Sequence, residues 1–168
     1  MSEALPDILA RHLDVVFCGI NPGLTAAATG HHFAGRGNRF WRVIHRAGFT
    51  PLELSPLEAQ TLPLYRCGLT TVVDRPTAGA DEISAREFID AAARLEEKIT
   101  RHAPRMVAFL GKAGYAALSG RRKIDWGCQA VPFGGAQAWV LPNPSGRNRA
   151  FTLDQLVDAY RPLRQAMG

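Results

Sequence analysis

The stretch VVFCGINPG, residues 15–23, decides the fold that this sequence predicts. Its first half is an almost continuous apolar run, typical of a strand buried on both faces of a parallel sheet, so a strand is expected over 14–20. The Asn-Pro and Pro-Gly dipeptides then predict a turn at the end of that strand. In parallel α/β sheets, ligands bind beyond the carboxyl ends of the strands. Asn21 is therefore either a turn-forming residue or part of a binding site.

The rest of the chain alternates between helical and strand patterns. Ser-x-x-Glu at 55–58 and 84–87 and Thr-x-x-Gln at 152–155 are capping boxes at helix starts, and Asn38 can cap a further helix. Helices are expected over 5–12, 38–47, 55–62, 84–99, 112–118 and 152–165, further strands over 68–75, 106–111 and 137–142, and a long loop over 21–37. This order predicts an α/β fold, a three-layer α/β/α sandwich around a mostly parallel sheet, formed by a single domain over residues 1–168.

Composition is that of a globular protein with a moderate positive charge. The chain has 168 residues, of which 46% are hydrophobic and 21% charged, and 20 Lys and Arg against 15 Asp and Glu give a net charge of +5. This charge suits a polyanionic partner such as nucleic acid. The three cysteines form no Cys-x-x-Cys pair, which excludes a zinc ribbon and a four-cysteine iron–sulfur cluster. With no signal-peptide pattern and no apolar run long enough for a membrane span, we expect a soluble, cytoplasmic protein.

Several familiar active-site motifs fail on spacing. GRGNRF begins like the dinucleotide motif, but Phe40 occupies the third glycine position. Gly-Lys in LGKAG lacks the first glycine of a phosphate-binding loop, where Met106 stands. The sequence contains neither GxSxG nor HExxH. His31 and His32 are adjacent, and we expect them in a loop or facing the partner rather than on a metal.

Two Asn-Pro turns remain, each at the exit of an expected core strand. They are Asn21-Pro22-Gly23 and Asn143-Pro144-Ser145-Gly146. Each turn alone is explained as a simple turn signal. Both would lie at the same edge of a parallel sheet, however, in a basic protein that lacks a carboxylate or histidine motif. Together they favour an active site at this edge.

A family resemblance rests on six motifs. GINPGL, FAGRGNRFW, YRCGLT, VDRPT, LGK and LPNPSG follow one another along the chain, which resembles the mismatch-specific uracil-DNA glycosylases, the bacterial relatives of thymine-DNA glycosylase. The resemblance covers essentially the whole chain. It implies an α/β/α sandwich and a monofunctional glycosylase that needs no metal or cofactor. The implied substrate is uracil opposite guanine, with ethenocytosine and thymine as related substrates, and the implied partner of the monomer is double-stranded DNA.

The same resemblance implies roles for individual residues. Asn21 matches the catalytic asparagine, and Phe33 matches the aromatic residue that stacks on the extruded base. Gly19, Ile20 and Asn38 belong to the base pocket. The loop that enters the duplex is implied to contain Asn143, Pro144, Ser145, Gly146, Arg147 and Arg149.

In this interpretation, Asn21 orients water rather than acting as a base. A base inside a duplex must be extruded before its glycosidic bond is reached, at a cost of a few kcal/mol. The bond then breaks toward an oxocarbenium-like sugar and an anionic uracil. An amide cannot accept a proton as a general base, but it can hold a water beneath C1′. Without a carboxylate the enzyme forgoes a factor of about 10²–10⁴ from base catalysis, so a slow enzyme is expected.

Two positions leave alternatives open. Arg147 stands where leucine is typical of the family, and an arginine can both stack on bases and hydrogen-bond to guanine. Asp81 either favours the start of the next helix or supplies the carboxylate that Asn21 lacks. Two rival functions also stay open. A non-catalytic mismatch- or lesion-binding module would keep the fold without turnover, and a nucleotide hydrolase is disfavoured by the missing phosphate-binding loop.

Overall fold

The computed structural model describes residues 5–168, in which five strands form one sheet. The strands are β1 (Val15–Gly19), β2 (Cys67–Thr71), β3 (Met106–Leu110), β4 (Gly127–Cys128) and β5 (Gln137–Leu141). Their order across the sheet is β2-β1-β3-β5-β4, and all neighbours are parallel except β4, which runs antiparallel to β5. The register places Val15 opposite both Cys67 and Met106. The expected mostly parallel sheet is confirmed.

Helices cover both faces of this sheet, as expected. The α-helices are α1 (Leu24–Thr29), α2 (Phe40–Arg46), α3 (Ala85–His102), α4 (Lys112–Ser119) and α5 (Leu153–Ala166), and 3-10 helices span Pro56–Tyr65 and Ala80–Glu82. Because side chains alternate across a strand, β1 contributes residues to two hydrophobic cores, one on each face of the sheet. Phe17 packs with α2 and α5, whereas Val16 and Cys18 pack with α3. The expected α/β/α sandwich is thereby confirmed.

The expected capping boxes define three helix starts. Ser84 Oγ accepts from the Glu87 N–H at 3.1 Å at the start of α3. The Ser55 N–H donates to the Glu58 carboxylate at 2.9 Å at the start of the first 3-10 helix. At the start of α5, Thr152 exchanges hydrogen bonds with Gln155 in the same way. The cap expected at Asn38 is wrong by one residue, because Arg39 precedes α2 directly and makes no side-chain capping bond; Asn38 Oδ1 still accepts from the N–H of Phe40, the first residue of α2, at 3.0 Å.

The helix expected over 5–12 is wrong. Ile8 instead pairs with Leu69 in an isolated antiparallel bridge, with hydrogen bonds of 2.9 and 2.8 Å in the two directions. The physical reason is that β2 is an edge strand, and this segment covers its open backbone groups. Gly68 permits the approach, since a Cβ there would lie 2.6 Å from the Ile8 carbonyl oxygen. Pairing at the edge thus outweighs the helical pattern of the sequence.

Other expectations are corrected in detail. The loop expected over 21–37 contains α1, and the two-residue strand β4 was not expected. The second strand ends at Thr71, although Val72 and Val73 still donate to the Gly19 and Ile20 carbonyls at 2.8 and 3.0 Å. The helix expected over 55–62 is a 3-10 helix. His32 is buried rather than facing a partner, because its Nε2 lies 2.7 Å from the Pro6 carbonyl oxygen.

Two kinds of feature are absent from the described residues, namely a membrane-spanning helix and a cluster of metal ligands. Between residues 5 and 168, no helix has both the length and the apolarity that crossing a membrane would require. The same residues contain no cluster of three or more His, Cys, Asp or Glu side chains that could hold a metal ion. Of the three cysteines, Cys18 and Cys67 are buried in the sheet and Cys128 is exposed on β4.

The amino edge of the sheet is held by a carboxylate between two arginines. The side chain of Asp14 is 8% exposed and accepts from Arg66 Nε at 2.8 Å and from Arg105 Nη1 at 3.2 Å. The hydrogen bond from Arg66 is the main reason that the pKa of Asp14 lies below its usual value of 3.8, with Arg105 contributing less. Burial acts in the opposite direction but does not prevail.

Asp14→Asn should therefore lower the free energy of unfolding at neutral pH by about 1–2 kcal/mol, because a charge-assisted hydrogen bond is lost while both arginines stay partly solvated. A depressed pKa in the folded state stabilises above the unfolded value, and this contribution is lost as the pH falls through the folded pKa. The difference in unfolding free energy between wild type and variant should thus become smaller below about pH 4. Urea denaturation at pH 7 and pH 3 measures it, and an equal gap at both values would contradict the ion-pair explanation.

Candidate active site

A cleft of about 800 Å³ opens at the carboxyl edge of the sheet, where β1 and β2 end. It brings together ten of the twelve predicted site residues, namely Gly19, Ile20, Asn21, Phe33, Asn38, Asp81, Asn143, Ser145, Gly146 and Arg147. Pro144 is buried behind the lining, and Arg149 is exposed outside it. The two Asn-Pro turns therefore lie on the same cleft, as the parallel sheet requires.

The amide of Asn21 is held in one orientation. Its Nδ2 donates to the Arg75 carbonyl oxygen at 2.7 Å and to Thr77 Oγ1 at 2.8 Å. A main-chain carbonyl can only accept, and the Thr77 hydroxyl donates onward to the Gly79 carbonyl at 2.8 Å. Both contacts therefore require the NH₂ group at this position. Oδ1 accepts from no group of residues 5–168, so it is left to bind a water or a ligand.

Thr77 was missed by sequence reasoning, although VDRPT was among the resembling motifs. Thr77 is buried, its N–H donates to the Pro22 carbonyl at 3.2 Å, and it forms a parallel bridge with Gly23. This bridge fastens the segment that follows β2 to the Asn-Pro-Gly turn that follows β1. The threonine thereby reaches Asn21 from 56 positions along the chain, and no local pattern reports such a contact.

Phe33 forms an aromatic wall of the cleft. Its ring stacks on buried Phe40, with ring centroids 4.1 Å apart and planes 21° apart. Phe33 is half-buried and lines the cleft, and its backbone is left-handed with φ of 53°. A left-handed conformation is uncommon for a residue with a large side chain and is found at tight turns and at functional sites. Gly19 lies under the ring, since a Cβ there would sit 3.8 Å from Phe33 Cζ.

Two buried groups fix the surroundings of the cleft. Nε2 of His32 must carry a hydrogen to donate to the Pro6 carbonyl, and burial lowers the pKa of this histidine. The neutral ring therefore has a structural role on the wall that also contains Phe33. On the opposite wall, the hydroxyl of buried Tyr160 donates to the Pro142 carbonyl at 2.8 Å and holds the end of β5 just before Asn143.

The segment 143–151, which we call the wedge loop, forms that opposite wall. Asn143 Oδ1 accepts from the Ser145 N–H at 2.9 Å, and Asn148 Nδ2 donates back to the Asn143 carbonyl at 2.9 Å. Gly146 touches the backbone of the other wall, because a Cβ there would lie 2.9 Å from the Gly37 carbonyl oxygen. The wedge loop is thus folded on itself and packed against the segment 30–39, which we call the pocket loop.

Arg147 reaches across the mouth of the cleft. Its Nη1 donates to the Ala78 carbonyl oxygen on the far side. Gly79 leaves room for this contact, since a Cβ there would lie 2.7 Å from Arg147 Nη1 and 2.6 Å from Asp81 Oδ1. Asp81 lies in the 3-10 helix Ala80–Glu82, four residues before α3 begins, and lines the cleft. Its proposed part in catalysis stays a prediction.

Comparison with known proteins agrees with the fold. The sequence model of the Uracil DNA glycosylase superfamily matches residues 6–164. The solution NMR structure of a candidate uracil DNA glycosylase from Methanosarcina acetivorans superposes with a TM-score of 0.63 and 22% sequence identity, over 97% of this chain and 98% of that chain. At this identity the structural likeness concerns the fold, and it agrees with the expected three-layer sandwich.

Proposed function

The chain belongs to the uracil-DNA glycosylase superfamily, and from this premise we propose that it is a member of the mismatch-specific branch. Membership of the superfamily makes it a DNA glycosylase, an enzyme that acts on DNA. The proposed reaction is the removal of uracil, and of related lesions such as ethenocytosine, from pairs with guanine in double-stranded DNA. The proposed enzyme is monofunctional and acts as a monomer.

The observation that carries this proposal is the orientation of Asn21. Both N–H groups of its amide are engaged by Arg75 and Thr77, so the free Oδ1 is directed to a partner that donates a hydrogen bond. A water held by Oδ1 keeps a lone pair available for C1′ of an extruded nucleotide. As the C1′–N1 bond breaks, its electron pair leaves with uracil, the water oxygen bonds to C1′, and its proton passes to solvent. No covalent bond to the protein is required.

The cleft also suits an extruded base. Phe33 offers a ring face supported by Phe40, and stacking on an aromatic side chain is worth about 1–3 kcal/mol per base. Hydrogen-bond donors to the uracil oxygens would stabilise the departing anion, at about 2.7–4 kcal/mol for one well-placed donor. The carbonyls around Asn21 are committed to protein donors, and the only carboxylate that lines the cleft within residues 5–168 is Asp81. A slow, water-orienting enzyme fits this composition.

A duplex with a single labelled U·G pair tests the proposed function. Strand breakage that appears only after alkali would indicate a monofunctional glycosylase. Binding without breakage would indicate the non-catalytic module instead. Replacement of U·G by U·A in the same sequence tests mismatch specificity, because equal rates on both duplexes would contradict the mismatch-specific assignment.

Asn21→Ala should remove most base excision and leave duplex affinity nearly unchanged, because Asn21 is proposed to hold the attacking water.

Thr77→Val should lower the single-turnover rate by about 2–10-fold, since it removes one hydrogen bond that fixes the amide of Asn21. Thr77→Ser keeps that hydroxyl and should restore most of the rate. A Thr77→Val enzyme as fast as wild type, at unchanged stability, would contradict the role given to this hydrogen bond.

Phe33→Ala should slow single-turnover excision by about one to two orders of magnitude, because a stacking partner worth about 1–3 kcal/mol is lost. Phe33→Leu is the matched control for packing, since it retains bulk against Phe40 but has no ring face. If Phe33 is merely a packing residue, leucine should restore activity and both variants should differ from wild type mainly in melting temperature.

Arg147→Ala should weaken binding to abasic DNA more than binding to undamaged duplex. The reason is that Arg147 is proposed to fill the gap left by the extruded base and to hold the enzyme on its product. Arg149→Ala is the matched control, because this exposed arginine lies outside the cleft and would act only on the phosphate backbone. A phosphate contact weakens binding to both duplexes equally and lowers the salt slope by about one.

Titration of both variants against both duplexes at two salt concentrations separates these roles. Equal losses for Arg147→Ala on the two DNAs would remove it from the residues proposed to enter the duplex.

A further inference from the structure

One guanidinium organises the whole wedge loop. Arg39, the residue just before α2, donates from Nη1 to the Phe151 carbonyl at 2.8 Å and from Nη2 to the Ser145 and Asn148 carbonyls at 2.9 Å each. Its Nε lies 3.4 Å from the Pro144 carbonyl oxygen, and its main-chain N–H donates to the same oxygen at 3.0 Å. Four carbonyls of one loop thus converge on a single side chain from the opposite wall.

The shape of arginine is what makes this arrangement possible. A guanidinium carries five N–H donors in a rigid plane, whereas an ammonium presents three donors from a single point. Within residues 5–168 Arg39 forms no ion pair, and its half-buried guanidinium faces the carbonyl dipoles of the wedge loop. Only a planar set of donors can reach four carbonyls at once, so this arrangement depends on the guanidinium and not on the positive charge alone.

The connection runs between the two walls of the cleft. Arg39 ends the pocket loop that carries Phe33 and Asn38, and its acceptors lie before and after Arg147 in the wedge loop. The close approach of Gly146 to Gly37 fixes the same two loops at a second point. A displacement of either loop must therefore move the other or break these contacts.

We propose that Arg39 is a positioning residue that couples the pocket loop to the wedge loop, so that the base pocket and the group that fills the duplex gap act as one unit during base extrusion. This inference rests on the proposed function. Replacement of Arg39 should therefore lower the excision rate most when the target base must be extruded from a base pair, and little when the base is already unpaired.

Arg39→Lys tests the coupling while it keeps the positive charge. We expect single-turnover excision to fall by about tenfold or more on a U·G duplex, but by less than about threefold when the uracil lies opposite an abasic-site analogue, where extrusion is less costly. A merely structural defect would slow both substrates by the same factor, and that result would overturn the proposal. Arg42→Lys is the matched control, because this exposed arginine lies in α2, three residues after Arg39, and its side chain pairs with exposed Glu53 at 3.9 Å, outside both loops.

Limited trypsin digestion tests, without DNA or an activity assay, whether Arg39 holds the wedge loop in place. Arg147 and Arg149 are cleavage sites inside the wedge loop, and protection there reports the free energy of opening that loop. Arg39→Lys should speed cleavage at these sites by about tenfold, while cleavage after Arg122 in the exposed turn after α4 should stay unchanged. Unchanged cleavage in the wedge loop would show that Arg39 does not hold it, and would overturn the proposal.

The two experiments separate failure of this inference from failure of the proposed function. If the wild-type protein excises uracil from neither DNA, the glycosylase assignment fails, even where digestion shows that Arg39 holds the wedge loop. If Arg39→Lys lowers the melting temperature by more than a few degrees, Gly146→Ala takes its place, because it disturbs the second contact between the two loops, where a Cβ would lie 2.9 Å from the Gly37 carbonyl oxygen. The same unequal loss on paired and unpaired uracil is expected, and equal losses would again count against coupling.

Discussion

The position of β1 between two parallel neighbours is the constraint on which the rest of the molecule depends. Val15 pairs with Cys67 on one side and Met106 on the other, so β1, β2 and β3 begin in register and end at the same edge. Parallel β5 adds a fourth strand end at that edge. The chain that leaves each strand must cross this edge before it enters the next helix. Asn21, Thr77 and the wedge loop meet in space because they follow three strands that point the same way.

Main-chain carbonyls do much of the positioning at this edge. Asn21 is fixed by the Arg75 carbonyl, Thr77 by that of Gly79, Arg147 by that of Ala78, and Arg39 by four carbonyls of the wedge loop. A carbonyl attracts a donor without adding a negative charge. The cleft thus positions its side chains with few carboxylates, which suits a surface that meets the phosphates of DNA. The carboxylate held between two arginines, Asp14, lies at the opposite edge of the sheet.

Elements with strong local signals could be predicted from the sequence, whereas contacts between residues far apart in the chain could not. The apolar run of β1, the capping boxes of α3 and α5 and both Asn-Pro turns predicted the layers and the edge that bears the cleft. The segment 5–12 has a helical pattern, but the open edge of β2 attracts Ile8 into pairing, and only the sheet order reveals that edge. The strand β4 is two residues long, too short for any periodicity. Thr77 bonds to the side chain of Asn21, 56 positions away, and Arg39 bonds to main-chain carbonyls more than 100 positions away, so no local pattern in the sequence reports either contact.

The distribution of the three thiols makes this protein convenient to label. Burial raises the pKa of Cys67 to about 12 and that of Cys18 still further, so neither forms a thiolate at neutral pH. Cys128 is exposed on β4, three strands away from β1 and clear of the cleft lining. A maleimide fluorophore should therefore attach at one defined position without any cysteine being replaced. With a second dye on the DNA, the natural sequence already provides a reporter of distance for single-molecule measurements.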